Sequence, residues 1–348
     1  MGPIDSPTGR CASTAAAGSW ASVKLRETER ASACICMNRR MNERTTQPKS
    51  VLALGMFDGV HLAHQALVRQ AAEAARALGA QTVAFTFTDA PGKLLHLPVT
   101  SLSTPAQRVS WLQAAGADRV DMVDFTQAFA DLSPEAFLDY LQERYRIAAL
   151  AAGFNYTFGK YGTGTAETLR ELGAQHGFQV LIAEPVLLDG EPVSSTRIRA
   201  LVNEGRMEAA RRLLGRPYTL TGPVVSARRI GHTLGYPTAN LETGEQLLPL
   251  DGVYATYAVL DGTAHPAVTN VGRNPTVAGK RRTVETYILN ESPSLYGAEL
   301  SVAFLSRLRE ERTFPSREAL SRQIGEDVKT AKKLFDSEKK TVYNPKGL

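Results

Sequence analysis

Cysteine is nearly absent from this chain. The three present, Cys11, Cys34 and Cys36, lie near the start, and residues 51–348 have none. Disulfide staples, zinc-finger cysteines and a cysteine nucleophile are thereby excluded for the body of the protein. Cys34 and Cys36 form a C-x-C pair with no histidine beside it, a weak metal site. Long apolar runs are missing as well: none approaches the ~20 residues of a membrane-spanning helix, and no apolar h-region of a secretory signal is present. A P-loop ending in GK[ST] is absent, as is any nucleophile motif. Basic charge is scarce where it would matter. The chain is formally +5, yet residues 1–50 carry eight basic and four acidic side chains, and residues 51–348 carry thirty-two and thirty-one. A nucleic-acid-binding face needs a basic stripe interleaved with aromatics. The body offers only Arg228–Arg229 and Lys280–Arg282, so neither nucleic acid nor membrane is expected as a partner, and cytoplasm is the default location.

What is present is ordinary for a globular protein. With 348 residues, 43% of them hydrophobic and 22% charged, the chain can bury a large core in roughly two domains. Residues 1–48 stand apart, rich in Ala, Ser, Thr and Arg and lacking apolar periodicity. They are expected to be a disordered tail or a mis-assigned start, with Met37 or Met41 as initiator. A targeting segment or an unstructured extension stays open, although Asp5, Glu27 and Glu29 count against a transit peptide.

From Ser50 to about Pro185, short apolar runs alternate with helical stretches. Strands are expected at 51–57, 81–88, 119–125, 147–154 and 178–186. Helices are expected after His61 (with Leu62, Ala66, Leu67, Ala71, Ala74, Ala75 and Leu78 on one face) and near 105–115, 134–146 and 165–176. Five strands separated by helices predict an α/β, doubly wound parallel sheet whose ligands sit beyond the carboxyl ends of its strands. After a helical stretch at 196–214 the pattern becomes short strands with Gly/Pro turns, which predicts a small antiparallel β-barrel. A final helix from about Ser316 presents Leu320, Ile324, Val328, Ala331 and Phe335 as one apolar stripe. The halves differ in charge: residues 51–190 have nine basic and fourteen acidic side chains, residues 191–348 twenty-three and seventeen.

Chemistry concentrates in a few strings. GMFDGVHLAH (55–64) places His61 and His64 at the junction of the first strand and its helix, where backbone N–H groups and the positive helix end suit an anion. Two imidazoles there can stabilise charge moving onto departing pyrophosphate, and Gly55 and Gly59 would let backbone approach phosphates. GFNYTFGKYGTG (153–164), read alone, is a Gly-rich loop between strand and helix. In VSSTRIR (193–199), Ser195 and Thr196 can cap the next helix while Arg199 faces a triphosphate. In GHTLGYPTANL (231–241), the Thr238 hydroxyl and Asn240 amide are hard oxygen ligands suited to Mg²⁺ with attached phosphates. Glu285 sits on a strand among apolar neighbours, where partial burial would raise its pKa toward a general base's range.

GMFDGVHLAHQ resembles the opening motif of the bacterial bifunctional riboflavin kinase/FMN adenylyltransferase (FAD synthetase) family, whose front module is an HxGH, Rossmann-like nucleotidyltransferase. The family's glycine between the histidines is Ala63 here, and TFTDAP (86–91) stands where the family carries Pro-His-Pro. GFNYTFG resembles the family's G-x-[DN]-[FY]-x-F-G, with Asn155 at the polar position, and VSSTRIR its S-S-T-x-x-R. GHTLGYPTANL resembles the riboflavin kinase signature G-x-x-L-G-x-P-T-A-N, with His232 where a basic residue is usual. VTNVGRNPT (268–276), TVETYIL (283–289) and LREERTF, with Arg309, Glu311 and Phe314, extend the likeness.

The resemblance implies an FMN adenylyltransferase domain at 49–195, a helical linker at 196–215 and a riboflavin kinase domain at 216–340. It implies His61 and His64 as catalytic in the first, with Gly55, Phe57, Asp58, Gly59, Asn155, Ser195, Thr196 and Arg199 binding ATP and FMN. In the second it implies Glu285 as base, Thr238 and Asn240 holding Mg²⁺, and Gly231, Gly235, Pro237, Asn270 and Arg309 binding ATP and riboflavin. Riboflavin would become FMN and FMN would become FAD, with ATP spent at both steps. The other reading, prompted by Ala63 and the missing Pro-His-Pro, keeps only the kinase active.

Overall fold

The computed structural model describes residues 47–89, 91–94, 100–225, 236–273, 282–289 and 295–338. The expectations for residues 1–46, Ala90, Arg228, Arg229, Gly231, His232, Gly235, Lys280 and Arg281 lie outside these.

The front half is built on five strands: β1 (Lys49–Leu54), β2 (Gln81–Phe87), β3 (Arg119–Val123), β4 (Arg146–Gly153) and β5 (Gln179–Ala183). They form one parallel sheet in the order β3-β2-β1-β4-β5, with Leu52 opposite Val83 on one side and Leu150 on the other. The order reverses beside the central β1, as in a doubly wound sheet. Helices α1 (Leu62–Leu78) and α2 (Pro105–Ala114) cover one face, burying Leu67, Val68, Ala71, Ala75 and Leu112. Helices α3 (Pro134–Arg144) and α4 (Ala166–His176) cover the other with Phe137, Leu138, Leu141, Leu169 and Leu172. Leu78, expected on the inner face of α1, is 39% exposed, and Val68 is buried instead. α1 ends one residue later at Gly79, in the left-handed conformation (φ 57°) that breaks a helix.

Helix starts follow local chemistry. Thr104 caps α2 in a reciprocal box with Gln107, followed by Pro105 at the first helical position. Ser133 and Thr165 cap α3 and α4. A two-stranded hairpin, β6 (Leu187–Leu188) and β7 (Glu191–Pro192), leads into α5 (Ser195–Asn203) and α6 (Met207–Leu214). These two helices bury Ile198, Val202, Met207, Leu213 and Leu214 in one core with Tyr218, Leu220 and Phe304 of the barrel. Each such side chain stabilises by about 1.5–3 kcal/mol, so this segment is anchored to the barrel it precedes.

The barrel has six strands: β8 (Tyr218–Val225), β9 (Ala239–Leu241), β10 (Gly252–Leu260), β11 (Thr263–Arg273), β12 (Arg282–Ile288) and β13 (Glu299–Arg309). All pair antiparallel and close in the order β10-β11-β12-β9-β8-β13. The PTAN segment supplies β9, a three-residue strand that joins β12 to β8. Inside, the hydroxyls of Thr256, Thr269 and Thr286 satisfy one another at 2.8 and 3.0 Å. Outside, α7 (Arg317–Glu338) packs Ala331 and Phe335 against Val253, Tyr257 and Val268.

β8 and β9 approach so closely at one point that a side chain is excluded. A methyl group on Gly222 would overlap the carbonyl oxygen of Glu242, whose own N–H is held at 3.0 Å by Pro223 O. Gly222→Ala should therefore cost about 1–3 kcal/mol. Thermal unfolding checks this, and an unchanged midpoint would show that the contact can relax.

Candidate functional site

The front site begins where β1 ends. Between Leu54 and α1 the chain makes a tight turn in which Phe57 (φ 51°) and Val60 (φ 36°) take left-handed backbone, alongside Gly59 (φ 76°). For non-glycine residues this costs on the order of 1–3 kcal/mol each, and persists only where neighbours over-determine it. Asp58 supplies much of that determination. Its buried carboxylate accepts from Leu102 N at 3.0 and 3.1 Å and from the Ser103 hydroxyl at 3.2 Å. Arg199 Nη2 meets it at 2.5 Å. Gly59 N donates to Ser103 Oγ at 3.1 Å, and the Phe57 ring lies 3.1 Å from where a Cβ on Gly55 would stand.

This frame delivers the histidines. His61 is the N-cap of α1: its Nδ1 accepts from His64 N at 3.4 Å, which leaves its single proton on Nε2. The two rings stack with centroids 3.6 Å apart. Burial, then the positive charges of Arg216 and Arg199, push the His61 pKa down to about 4. His64 is held well below its ordinary value by burial, then by His61, Arg108 and Arg216. Both rings are neutral donors at pH 7 rather than cations.

They open onto a cavity of about 560 Å³ at the carboxyl ends of the strands. Its lining includes Gly55, His61, His64, Asn155, Ser195 and Thr196. Its aromatic lining comprises Phe87, Phe125, Phe129, Phe137, Tyr156 and Phe158, whose rings meet mostly edge-on or tilted, as Phe87–Phe125 do at 5.1 Å, while Tyr156 and Phe158 stack at 5.8 Å. Sequence reading missed this aromatic wall. Its signal was there, in aromatics recurring just past strand ends. Ala63, second residue of α1, also lines the cavity.

Phe57, Asp58, Gly59 and Arg199 do not line this cavity. Arg199 spends its charge on Asp58 and its Nε on Thr100 O at 3.4 Å, so it does not face the cavity as expected. The expected cap is also corrected. Ser194, one residue earlier, caps α5 by accepting from Arg197 N at 3.3 Å, because only the N-cap oxygen reaches the N–H three residues on. The Ser195 hydroxyl donates instead to Asp58 O at 3.0 Å.

The second site is a row across the barrel. In register, Asn240 of β9 faces Glu285 of β12, Glu285 faces Asn270 of β11, Asn270 faces Val253 of β10, and Val253 faces Arg309 of β13. Directly opposed residues have Cα atoms about 4.5–5.5 Å apart. Since Leu241, Val284 and Val271 point into the core, their alternating neighbours Asn240, Glu285 and Asn270 lie on the outer face, where Val253 meets α7. Thr238 precedes β9 by one residue, and Pro237 follows Tyr236, whose ring meets Tyr287 edge-on at 5.3 Å. Burial, and next the charge of Glu311, push the Glu285 carboxyl above the usual carboxylate range. Arg309 forms a two-pronged pair with Asp327 of α7, at 2.9 and 2.7 Å. It lies over Phe314 at 5.7 Å, an anchored side chain rather than part of a solvated charge run. Among the described residues no three of His, Cys, Asp or Glu gather as a metal site. The neutral oxygens of Thr238 and Asn240 fit a hard cation that keeps phosphate and water oxygens of its own.

Comparison with known proteins gives two successive matches. Residues 43–197 match the FAD synthetase family model and residues 214–335 the riboflavin kinase model. A bifunctional riboflavin kinase/FMN adenylyltransferase of Listeria monocytogenes is 35% identical over 83% of this chain and 94% of its own. One from Pseudomonas fluorescens is 36% identical over 82% and 92%. A Streptococcus pneumoniae crystal structure titled as a macrolide-efflux protein superposes with a TM-score of 0.76 at 33% identity, over 82% of this chain and 95% of that one. No helix among the described residues is long and apolar enough to cross a membrane. With both family models in tandem and such identity over most of its length, the chain belongs to the bifunctional riboflavin kinase/FMN adenylyltransferase family.

Proposed function

We propose that this chain makes FMN from riboflavin at the barrel row and FAD from FMN at the front cavity, with ATP and Mg²⁺ at both steps, in the cytoplasm. Its partners are then the small molecules ATP, riboflavin and FMN, with no nucleic acid or membrane partner. The observation that carries the reading is the front cavity, lined both by stacked neutral imidazoles at a helix N-terminus and by a set of aromatic rings.

In the front site an FMN phosphate oxygen bonds to the α-phosphorus of ATP as the bond from that phosphorus to the bridging oxygen breaks. The electron pair leaves with pyrophosphate. His61, through Nε2–H, and His64 would donate to the phosphoryl oxygens where negative charge grows. Asn155, Ser195 and Thr196 would bind the phosphates and ribose, and the aromatic wall the flavin ring. Gly55 lets Phe57 pack beneath, while Phe57, Asp58, Gly59 and Arg199 act as the frame. At the barrel, Glu285 would take the proton of the riboflavin 5′-hydroxyl as that oxygen attacks the γ-phosphorus and ADP leaves. Thr238 and Asn240 would hold the Mg²⁺ that neutralises the triphosphate, with Asn270 and Pro237 beside it and Arg309 tying the row to α7. The two steps need positioning and charge neutralisation more than covalent chemistry. Gly231 and Gly235 would contribute to binding the kinase nucleotide.

The kinase-only reading is disfavoured by the FAD synthetase match over the front half. Incubation with FMN, ATP and Mg²⁺, followed by chromatography for FAD, decides it: no FAD would leave only the kinase. His64→Ala should cut FAD formation on the order of 10²–10³-fold and spare FMN formation. Glu285→Ala should do the reverse, by on the order of 10²–10⁴-fold. Loss of both activities from either change in a folded protein would refute the two-site assignment.

The histidines also set a pH signature. A site that needs neutral rings loses activity as pH falls through their pKa, which for His61 is about 4. The rate of FAD formation should therefore show no acid limb near the ~6.5 of an ordinary histidine. A limb there that vanished in His61→Asn would contradict the neutral-donor role.

A further inference from the structure

One buried cation reaches the front site from the other side of the domain boundary. Arg216 lies on the strap between α6 and β8, inside the segment matching the riboflavin kinase model, and is 8% exposed. Its Nη2 donates to Gly59 O at 2.5 Å and its Nη1 to Val60 O at 3.0 Å. These are the two carbonyls immediately before His61. Nη1 also reaches Leu214 O at 3.2 Å, while the guanidinium face lies 3.5 Å from the centre of the Trp111 ring on α2. Gln65 of α1 repeats the tie from the opposite direction, donating to both Val60 O and Leu214 O at 2.9 Å. Gly215 makes the approach possible, since a Cβ there would stand 2.9 Å from Leu62 Cδ2 in the first turn of α1.

We infer that Arg216 is a positioning residue for adenylyl transfer, fixing the backbone of Gly59 and Val60 so that His61 and His64 meet the phosphates in register. It does not line the cavity, so it touches no substrate and acts through the turn. A planar fork suits this role because it addresses two carbonyls at once and stacks on an indole, which a lysine ammonium cannot do together. The turn needs such an outside hold because Val60, a β-branched residue, has left-handed backbone. The FMN adenylyltransferase site is then completed by a residue of the kinase-matching segment, and the front half is not a closed unit. This inference rests on the histidine site acting as proposed above.

The test uses the full chain, with Arg216→Gln and Arg216→Lys compared with the unaltered protein. Steady-state FAD formation from FMN, ATP and Mg²⁺ gives kcat and KM, and FMN formation from riboflavin in the same preparation reports on the barrel. Arg216→Gln should lower kcat for FAD on the order of 10²-fold, as a small misplacement of catalytic groups does, with KM for ATP and FMN unchanged. Arg216→Lys should fall between. An unchanged kcat, a loss expressed only in KM, or a proportional loss of FMN formation would each overturn the assignment. If the unaltered protein makes no FAD, the reading of the front site fails instead.

Discussion

A single buried carboxylate holds the front half in working order. Asp58 sits at 8% exposure at the end of the central strand, where an unpaired charge would cost several kcal/mol. Its partners come from two other segments: the Leu102–Ser103 backbone and hydroxyl ahead of α2, and Arg199 on α5. Each is distant in sequence and converges on one side chain. The strained turn, the histidine cap and the mouth of the cavity follow from that convergence.

The two sites solve one problem by different geometry. As proposed, both would handle triphosphate, and neither gathers a cluster of carboxylates among the described residues. The front site presents a helix end and uncharged imidazoles, whose burial, reinforced by the cations Arg216, Arg199 and Arg108, keeps protons off the rings. The barrel relies on strand register, which aligns an amide, a carboxylate and a second amide on the outer face. One site is made by a chain reversal and the other by lateral pairing. That is why the first depends on strained backbone and the second on closure of the barrel.

Much of this was legible in the residues. Helical spacing and short apolar runs located every strand of the parallel sheet, and the strings around His61, Thr238 and Glu285 pointed to the two candidate sites. What could not be read depends on distance in space. That Ser194 and not Ser195 caps α5 turns on a backbone angle. That Arg199 bonds Asp58 depends on two segments 141 residues apart in sequence meeting. Arg216 carries no local pattern at all, since its partners lie at Gly59, Val60 and Trp111. Leu78 misled because a glycine next to it ends the helix before the stripe is complete.

The pairing of Arg309 with Asp327 bears on how the molecule comes into being on the ribosome. The chain emerges from its amino end, so the parallel sheet can form while the barrel is still being translated. Asp327 lies on the last described helix. The row of residues on the barrel wall is therefore fixed at its far end only once residue 327 has left the ribosome. The carbonyls of Gly59 and Val60 likewise wait for residue 216 to clear the exit tunnel. A nascent chain can thus carry a folded sheet while neither candidate site is finished, the barrel row being completed after the front turn.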